Sequence, residues 1–253
     1  MKKIALVTGA TSGFGKACAE KYSANGYDVI ITGRRKDRLD KIQSDLEKNF
    51  SNKVLALCFD VQDKKQVFDA FEDLPKEWRA IHVLVNNAGL AAGRDLFDQA
   101  SLDDWETMIN TNVKGLLYVS RAVMPFVIAA KGHIVNMGSV AGKEVYERGS
   151  VYCGTKHAVD AISLGMRIDL LSHQVRVTAI HPGAADTEFS LVRFKGDKAQ
   201  ADKVYEGYEA LTAENVADVI FYCTSLPPHV CINDLVITPT AQATALYFYK
   251  DKV

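Results

Sequence analysis

The chain lacks any run of about 18 uninterrupted apolar residues, which excludes a membrane-spanning helix. It also lacks an excess of either charge. Thirty Lys and Arg stand against 31 Asp and Glu, for a formal net charge of −1. That balance gives no electrostatic reason for nucleic acid or an anionic membrane to be a partner. Cysteine is sparse: Cys18, Cys58, Cys153, Cys223 and Cys231 form an odd set without a Cys-x-x-Cys pair. Neither a disulfide framework nor a metal site is expected, and free thiols of a cytoplasmic protein are the reading. Cys153, next to Tyr152, is either a reactive thiol or a small buried hydrophobe. No internal repeat, low-complexity tract or linker divides the chain, and its N-terminus enters a strand with no signal-peptide pattern. What is present is 253 residues with 48% hydrophobic content, enough for one domain spanning 1–253 with one sizeable core.

Strand-like and helix-like stretches alternate. Short apolar runs at 3–7, 28–32, 54–59, 81–85, 133–137, 175–180 and 234–237 read as strands, and helical patterns lie between them. The expectation is a single-domain, doubly wound α/β Rossmann fold, its mostly parallel sheet covered by helices on both faces. Two helices, at about 102–129 and 151–172, carry more apolar residues than packing one face on a sheet requires. The surplus points to a subunit interface. The aromatic stretch 246–249 near the C-terminus either docks on a neighbouring subunit or covers its own core.

The first strand runs into Thr8-Gly9-Ala10-Thr11-Ser12-Gly13-Phe14-Gly15, and a helical pattern follows at 16–24. Strand, glycine-rich turn and helix is the context in which a dinucleotide pyrophosphate is held. The glycines allow a tight turn and close backbone approach, and the helix N-terminus offers free N–H groups and the positive end of its dipole. Gly9, Gly13 and Gly15 are spaced Gly-x-x-x-Gly-x-Gly, one residue longer than the common form. The second strand ends in Gly33-Arg34-Arg35. An NAD-selective fold usually places an acidic residue there for the ribose 2′-hydroxyl. Two permanently charged, planar guanidinium groups suit a 2′-phosphate instead, so the reading is NADP.

Tyr152 and Lys156 are four residues apart in a helical stretch and therefore share a face. An ammonium beside a phenol favours the phenolate and is expected to draw the tyrosine from its usual pKa of about 10 toward neutrality. Such a tyrosine exchanges a proton with a carbonyl or alcohol oxygen near neutral pH. Ser139, thirteen residues earlier, can hold the same oxygen.

Taken together, these stretches resemble the short-chain dehydrogenases/reductases in their single-domain form, across nearly the whole chain. The resemblance implies that the glycine loop, with Thr11, Ser12 and Phe14, binds coenzyme, and that Asp60-Val61 meets the adenine. Asn86-Asn87-Ala88-Gly89 matches the family's Asn-Asn-Ala-Gly motif. Asn112, Ser139, Tyr152 and Lys156 fall on its catalytic positions, with Asn112 ordering a water that links Lys156 to solvent and Lys156 holding the nicotinamide ribose. Pro182-Gly183 and Thr187 resemble the segment that reaches the nicotinamide, and the homotetramer is the usual assembly.

Stretches 8–15, 104–112 and 187–197 resemble a narrower group, the NADP-dependent dehydrogenases of 3-hydroxy acids, which includes serine and L-allo-threonine dehydrogenases. The implied reaction interconverts the hydroxyl of a small 3-hydroxy acid and its carbonyl. Such a substrate needs its carboxylate held. Arg193, in a substrate loop at about 187–210, is the first candidate and Arg148 the second, because a fork of donors fits a carboxylate or sulfonate. Residues 143–148, among them Tyr146, are more charged than that group leads one to expect and adjoin the substrate pocket in the family. A reductase of 3-oxoacyl thioesters or of sulfoacetaldehyde is the alternative with the same chemistry. A non-catalytic NADP sensor is the alternative of another class.

Overall fold

The computed structural model describes residues 2–250. Seven strands form one sheet: β1 (Ile4–Val7), β2 (Asp28–Gly33), β3 (Val54–Cys58), β4 (Ile81–Asn86), β5 (His133–Met137), β6 (Arg176–Pro182) and β7 (Asp234–Ile237). Their order is β3-β2-β1-β4-β5-β6-β7, and each neighbouring pair is parallel. A parallel sheet is covered on both faces, so its inner strands read as continuous apolar runs. In β1, Ala5 and Val7 join the core on one face while Ile4 and Leu6 join the core on the other. The period of two thus divides one short strand between two cores.

Helices α1 (Gly13–Ala24), α2 (Lys36–Asn49), α3 (Lys64–Glu72), α4 (Leu102–Ile109), α5 (Leu116–Ala129), α6 (Ser150–Asp169), α7 (Glu188–Arg193), α8 (Lys198–Lys203) and α9 (Ala213–Ser225) follow in chain order. Residues of α1, α2 and α9 pack into one core, through Tyr22, Leu39 and Ile220 among others. Residues of α3 and α5 pack into the second, through Phe71, Val119 and Val123. Each such fully buried side chain contributes about 1.5–3 kcal/mol. A buried polar line crosses between layers: Asn86 Nδ2 donates to Ser120 Oγ (2.8 Å) and Asn136 Oδ1 (2.9 Å), and Asn136 Nδ2 donates to Ser163 Oγ (2.9 Å).

Strand order reverses between β1 and β4. Ligand crevices of open α/β sheets form beyond the strand ends at such a point. Here Thr8, just past β1, accepts the backbone N–H groups of Asn87 and Ala88 on its Oγ1, each at 3.0 Å, and Asn87 Nδ2 donates to the Thr8 carbonyl at 2.9 Å. The glycine loop and the Asn-Asn-Ala-Gly turn are thereby one rigid unit.

Three sequence expectations change. The expected helix at 102–129 is two helices joined by a π-helical turn, Asn110–Gly115. Asn and Thr are weak helix formers, and Asn112 spends its carboxamide across the turn instead: Oδ1 accepts from Leu90 N–H (2.8 Å), while Nδ2 donates to the Leu90 carbonyl (2.8 Å) and Thr155 Oγ1 (3.1 Å). The next helix ends at Asp169 rather than Ser172, with a 3₁₀ turn beyond it. Near the C-terminus the aromatic stretch divides. The Phe248 ring lies 5.1 Å from that of Tyr208, while Leu246, Tyr247 and Tyr249 are exposed. Among the described residues, no helix is long and apolar enough to cross a membrane.

Candidate active site

The crevice above β1 and β4 opens as a groove with about 1320 Å³ of empty space. Gly9, Thr11, Ser12, Gly13, Phe14, Arg34, Arg35, Asp60, Val61, Asn87, Ala88, Gly89, Tyr152, Lys156 and Thr187 all line it. Gly15 does not. A Cβ there would lie 2.4 Å from the Gly9 carbonyl oxygen and 2.5 Å from Asn87 Nδ2, so this glycine serves the folding of the loop on itself. Gly9 and Gly13 have positive φ, 66° and 50°, a region that glycine enters freely. α1 starts at Gly13, three residues earlier than its apolar pattern suggests, which aims its N-terminus into the groove.

The two arginines after β2 part company. Arg34 reaches Asp60 at 3.3 Å. Arg35 closes on the glycine loop, donating from Nε and Nη2 to Thr11 Oγ1 (3.2 and 2.7 Å) and from Nη2 to Ser12 Oγ (3.0 Å). Its Nη1 meets Glu188 at 3.2 Å, and Arg38 meets the same carboxylate at 2.9 Å. Burial pushes the Glu188 carboxyl up, yet the hydrogen bonds from Arg38 and Arg35 outweigh it and hold the group below its usual range. Arg38 and Glu188 were not foreseen. The spacing Arg34-Arg35-x-x-Arg38 places two guanidinium groups a turn apart at the start of α2, and that signal was there to be read.

A second cavity, with about 2380 Å³ of empty space, is lined by Ser139, Tyr146, Arg148, Pro182, Gly183 and Arg193. Tyr152, Gly138, Phe14, Thr187 and Phe189 line both cavities. Pro182 and Gly183 thus belong to the second space rather than the first. A buried Gln242 holds that segment, accepting the Ala184 N–H at 2.8 Å. Nothing in the sequence pattern marks Gln242.

Tyr152 sits at the junction, 8% exposed. Its ring lies 5.8 Å from that of Phe189. The Arg193 guanidinium is 4.9 Å from the centre of each of these two rings and donates to the Tyr146 hydroxyl at 3.2 Å. Arg148 is exposed, with a left-handed backbone (φ 61°). Lys156 Nζ lies 5.9 Å from the Tyr152 ring centre and donates to the Met137 carbonyl at 2.8 Å. Ser139 Oγ accepts the Ala141 N–H at 3.1 Å and faces the Pro182 carbonyl at 3.5 Å.

The expected fall in the phenol pKa is reversed in the protein alone. Burial raises Tyr152 well above the usual tyrosine value, more than the Arg193 charge and a hydrogen bond with Ser139 lower it. Burial also lowers Lys156 from 10.5 to about 8. Both groups are desolvated together, and desolvation favours the neutral form of each.

Cys153 is buried beside Tyr152 in a cluster with Ala91, Met108 and Ala141, so it packs as a small hydrophobe. Of the charged stretch 143–148, Lys143 turns to Asp160 and Asp234, and Glu144 accepts the Ala245 N–H at 3.0 Å. Tyr146, Glu147 and Arg148 line the second cavity.

Residues 3–197 match the family described as short chain dehydrogenase. The chain is 47% identical over 244 residues to the NADP-dependent 3-hydroxy acid dehydrogenase YdfG of Salmonella typhi, covering 96% of this chain and 97% of that protein. It is 43% identical to sulfoacetaldehyde reductase 2 of Chromohalobacter salexigens, covering 98% of each. Among solved structures, the closed form of serine dehydrogenase complexed with NADP+ superposes with a TM-score of 0.92 at 44% identity, covering 98% of this chain and 100% of that one.

Proposed function

The chain belongs to the short-chain dehydrogenase family and is an oxidoreductase acting on CH–OH groups; from that premise we propose that it interconverts the hydroxyl of a small 3-hydroxy acid and the matching carbonyl, with NADP as hydride carrier. The observation that carries this reading is the Arg193 guanidinium held 4.9 Å over the Tyr152 ring. It puts a fork of donors, matched to a carboxylate, over the ring whose hydroxyl would exchange the proton. Relatives named for 3-hydroxy acids and for serine support the same substrate class.

The roles follow from placement. NADP supplies the hydride chemistry when bound. The groove residues named above would hold it, with Arg35 and Arg38 forming the positive corner for a 2′-phosphate and Lys156 beside the nicotinamide ribose. Tyr152 gives its proton to the carbonyl oxygen in reduction and takes the hydroxyl proton in oxidation. Ser139 hydrogen-bonds that oxygen. Asn112 acts by position: its carboxamide pins Leu90, so that Gly89, Asn112 and Lys156 stay adjacent, a geometry suited to a water that passes the proton out. Residues 187–210 form the substrate segment, and Tyr146 steadies Arg193. Arg148 stands at the exposed rim as the weaker holder of an anion.

The test is NADPH absorbance with purified protein against L-serine, L-allo-threonine, 3-hydroxypropionate and 3-hydroxyisobutyrate, with NAD in parallel. Reduction of NADP by at least one of these acids, with NAD much slower, is the expected result. Arg193→Ala is expected to raise KM for acids about tenfold or more, the loss of one charge-assisted hydrogen bond, and to leave neutral alcohols nearly unchanged. Turnover of sulfoacetaldehyde or acetoacetyl thioesters alone would overturn the substrate while leaving the reaction class. NADPH binding with no turnover of any carbonyl or alcohol would favour a sensor.

The same reading extends to a cytoplasmic homotetramer. Leu102 and Ile109 of α4, Leu117 of α5, and Leu164 and Ile168 of α6 leave apolar side chains exposed, and free cysteines suit a reducing compartment. Size-exclusion chromatography of a cytosolic fraction should place the chain at about four times its 27.8 kDa mass. A 27.8 kDa species, or absence from that fraction, would contradict it.

A further inference from the structure

Behind Ser139, outside both cavities, three side chains from three elements meet: Asp160 of α6, His181 of β6 and Asp234 of β7. One ligand atom from each lies within 4.8 Å of the others. The His181 side chain is fully buried, at 0% exposure. Its Nδ1 lies 3.2 Å from the Ser139 carbonyl oxygen. A carbonyl only accepts, so Nδ1 carries the hydrogen and the neutral ring presents a bare lone pair at Nε2. That nitrogen has no hydrogen-bond partner among the described residues. It points between Asp160 Oδ1 and Asp234 Oδ1, each 3.6 Å away.

A lone pair facing two anionic oxygens is repulsive unless something positive lies between them. A shared proton fits poorly, because 3.6 Å is well beyond an N–H···O bond of about 2.9 Å. Lys143 does not fill the gap. It bonds the other oxygen of each carboxylate, Asp160 Oδ2 at 3.0 Å and Asp234 Oδ2 at 2.5 Å, and so turns both Oδ1 atoms toward the imidazole. One ammonium against two carboxylates leaves a net charge of −1 beside a buried neutral ring.

The two nitrogen–oxygen distances suit a small divalent ion. Metal–nitrogen and metal–oxygen bonds of about 2.0–2.2 Å across a 3.6 Å separation subtend roughly 118°, close to the tetrahedral range. A ligating histidine usually donates its second ring N–H to a carbonyl or carboxylate, as His181 does to Ser139. Imidazole as one of three ligands favours the first-row transition ions over magnesium or calcium.

We propose that Asp160, His181 and Asp234 form a binding site for a divalent cation of the zinc class, which fastens α6, β6 and β7 together behind the backbone of Ser139. The site is structural: it touches Ser139 only through its backbone carbonyl, lines neither cavity and takes no part in hydride transfer.

Cobalt(II) is the probe. The full chain, freed of metal by a chelator, is titrated with Co²⁺ and followed by its visible absorption, with Zn²⁺ as competitor. One saturable Co²⁺ per chain is expected, displaced by zinc. Asp160→Asn/Asp234→Asn should bind about 100-fold more weakly or worse, since ligand loss costs at least what loss of an outer-shell partner does. Lys143→Gln keeps a donor for the carboxylates but removes the competing charge, and should bind about tenfold more tightly. Zinc should raise the melting temperature of the wild type and leave that of the double variant unmoved. Should the double variant fail to melt cooperatively, Asp234→Asn alone, at the exposed start of an edge strand, replaces it. The absence of visible bands in both wild type and Lys143→Gln would overturn the proposal. So would bands of equal strength in the Asp variants, which would place the ion elsewhere, for example on the exposed Cys58.

Discussion

Tyr152→Phe is expected to lower kcat by about 10²–10⁴-fold, the usual worth of a positioned proton donor, while the affinity for NADPH stays within about twofold, since a change of much less than 1.4 kcal/mol is at stake. The substitution removes one oxygen and nothing else. The ring keeps its contacts with Phe189 and with the Arg193 guanidinium, so folding is not at issue. Burial holds the Tyr152 phenol protonated well past its usual range. The protonated form is the one that serves carbonyl reduction, whereas alcohol oxidation requires the phenolate. Oxidation by the wild type should therefore climb with pH through the alkaline range, and reduction should stay flat until the phenol ionises. Stopped-flow NADPH oxidation and NADP reduction across pH 6–11 would show it. A Tyr152→Phe protein that retained a tenth of wild-type turnover would remove the tyrosine from the chemistry.

The second large effect belongs to Lys156, 7% exposed. Replacing it with methionine is expected to abolish turnover and to change how stability responds to pH. Burial lowers the ammonium pKa from 10.5 to about 8 in the folded chain. Between those two values the unfolded chain binds the proton and the folded chain does not, so stability rises with pH across that window. Below pH 8 both states hold the proton, and the folded state bears the full cost of a buried charge, on the order of 3 kcal/mol. Above 10.5 both are neutral and the cost is gone. Lys156→Met lacks this contribution. The difference in unfolding free energy between wild type and variant, from urea melts at pH 7 and at pH 10, should shift by roughly 2–3 kcal/mol in favour of the wild type on going alkaline. An unchanged difference would mean that the lysine is solvated or paired in a way its hydrogen bond to Met137 does not show. Buried tyrosines such as Tyr22 lose stability above pH 10, but they do so equally in both proteins.

The architecture was legible because its signals are local and repeated. Continuous apolar strands at regular spacing, each followed by a helical pattern, admit few arrangements other than a covered parallel sheet. The glycine loop was legible for the same reason, and so was the pairing of Tyr152 with Lys156 on one helix face. What escaped depends on contacts between distant residues. The break at Asn110–Gly115 follows from Asn112 bonding Leu90, twenty-two positions away in the chain. No helical period reports that. The clasp of Arg35 and Arg38 on Glu188 spans about 150 positions, and Gln242 supports Ala184 across 58. The direction of the Tyr152 shift was misjudged because spacing reports the neighbour but not the solvent. A lysine a turn away is visible in sequence, whereas the burial that outweighs it is a property of the assembled fold.

The carboxylate of Glu188 has a consequence for anyone redesigning this protein. It opens the same short helix that ends in Arg193, and it is tethered to Arg35 and Arg38. On the roles proposed above, coenzyme preference and substrate grip therefore ride on a single lever. An engineer who strips the two arginines to favour the non-phosphorylated nucleotide also unfastens one end of the piece that presents Arg193. With those roles, retuning the coenzyme in isolation is expected to carry a hidden loss of substrate affinity, so that the two traits have to be bred together.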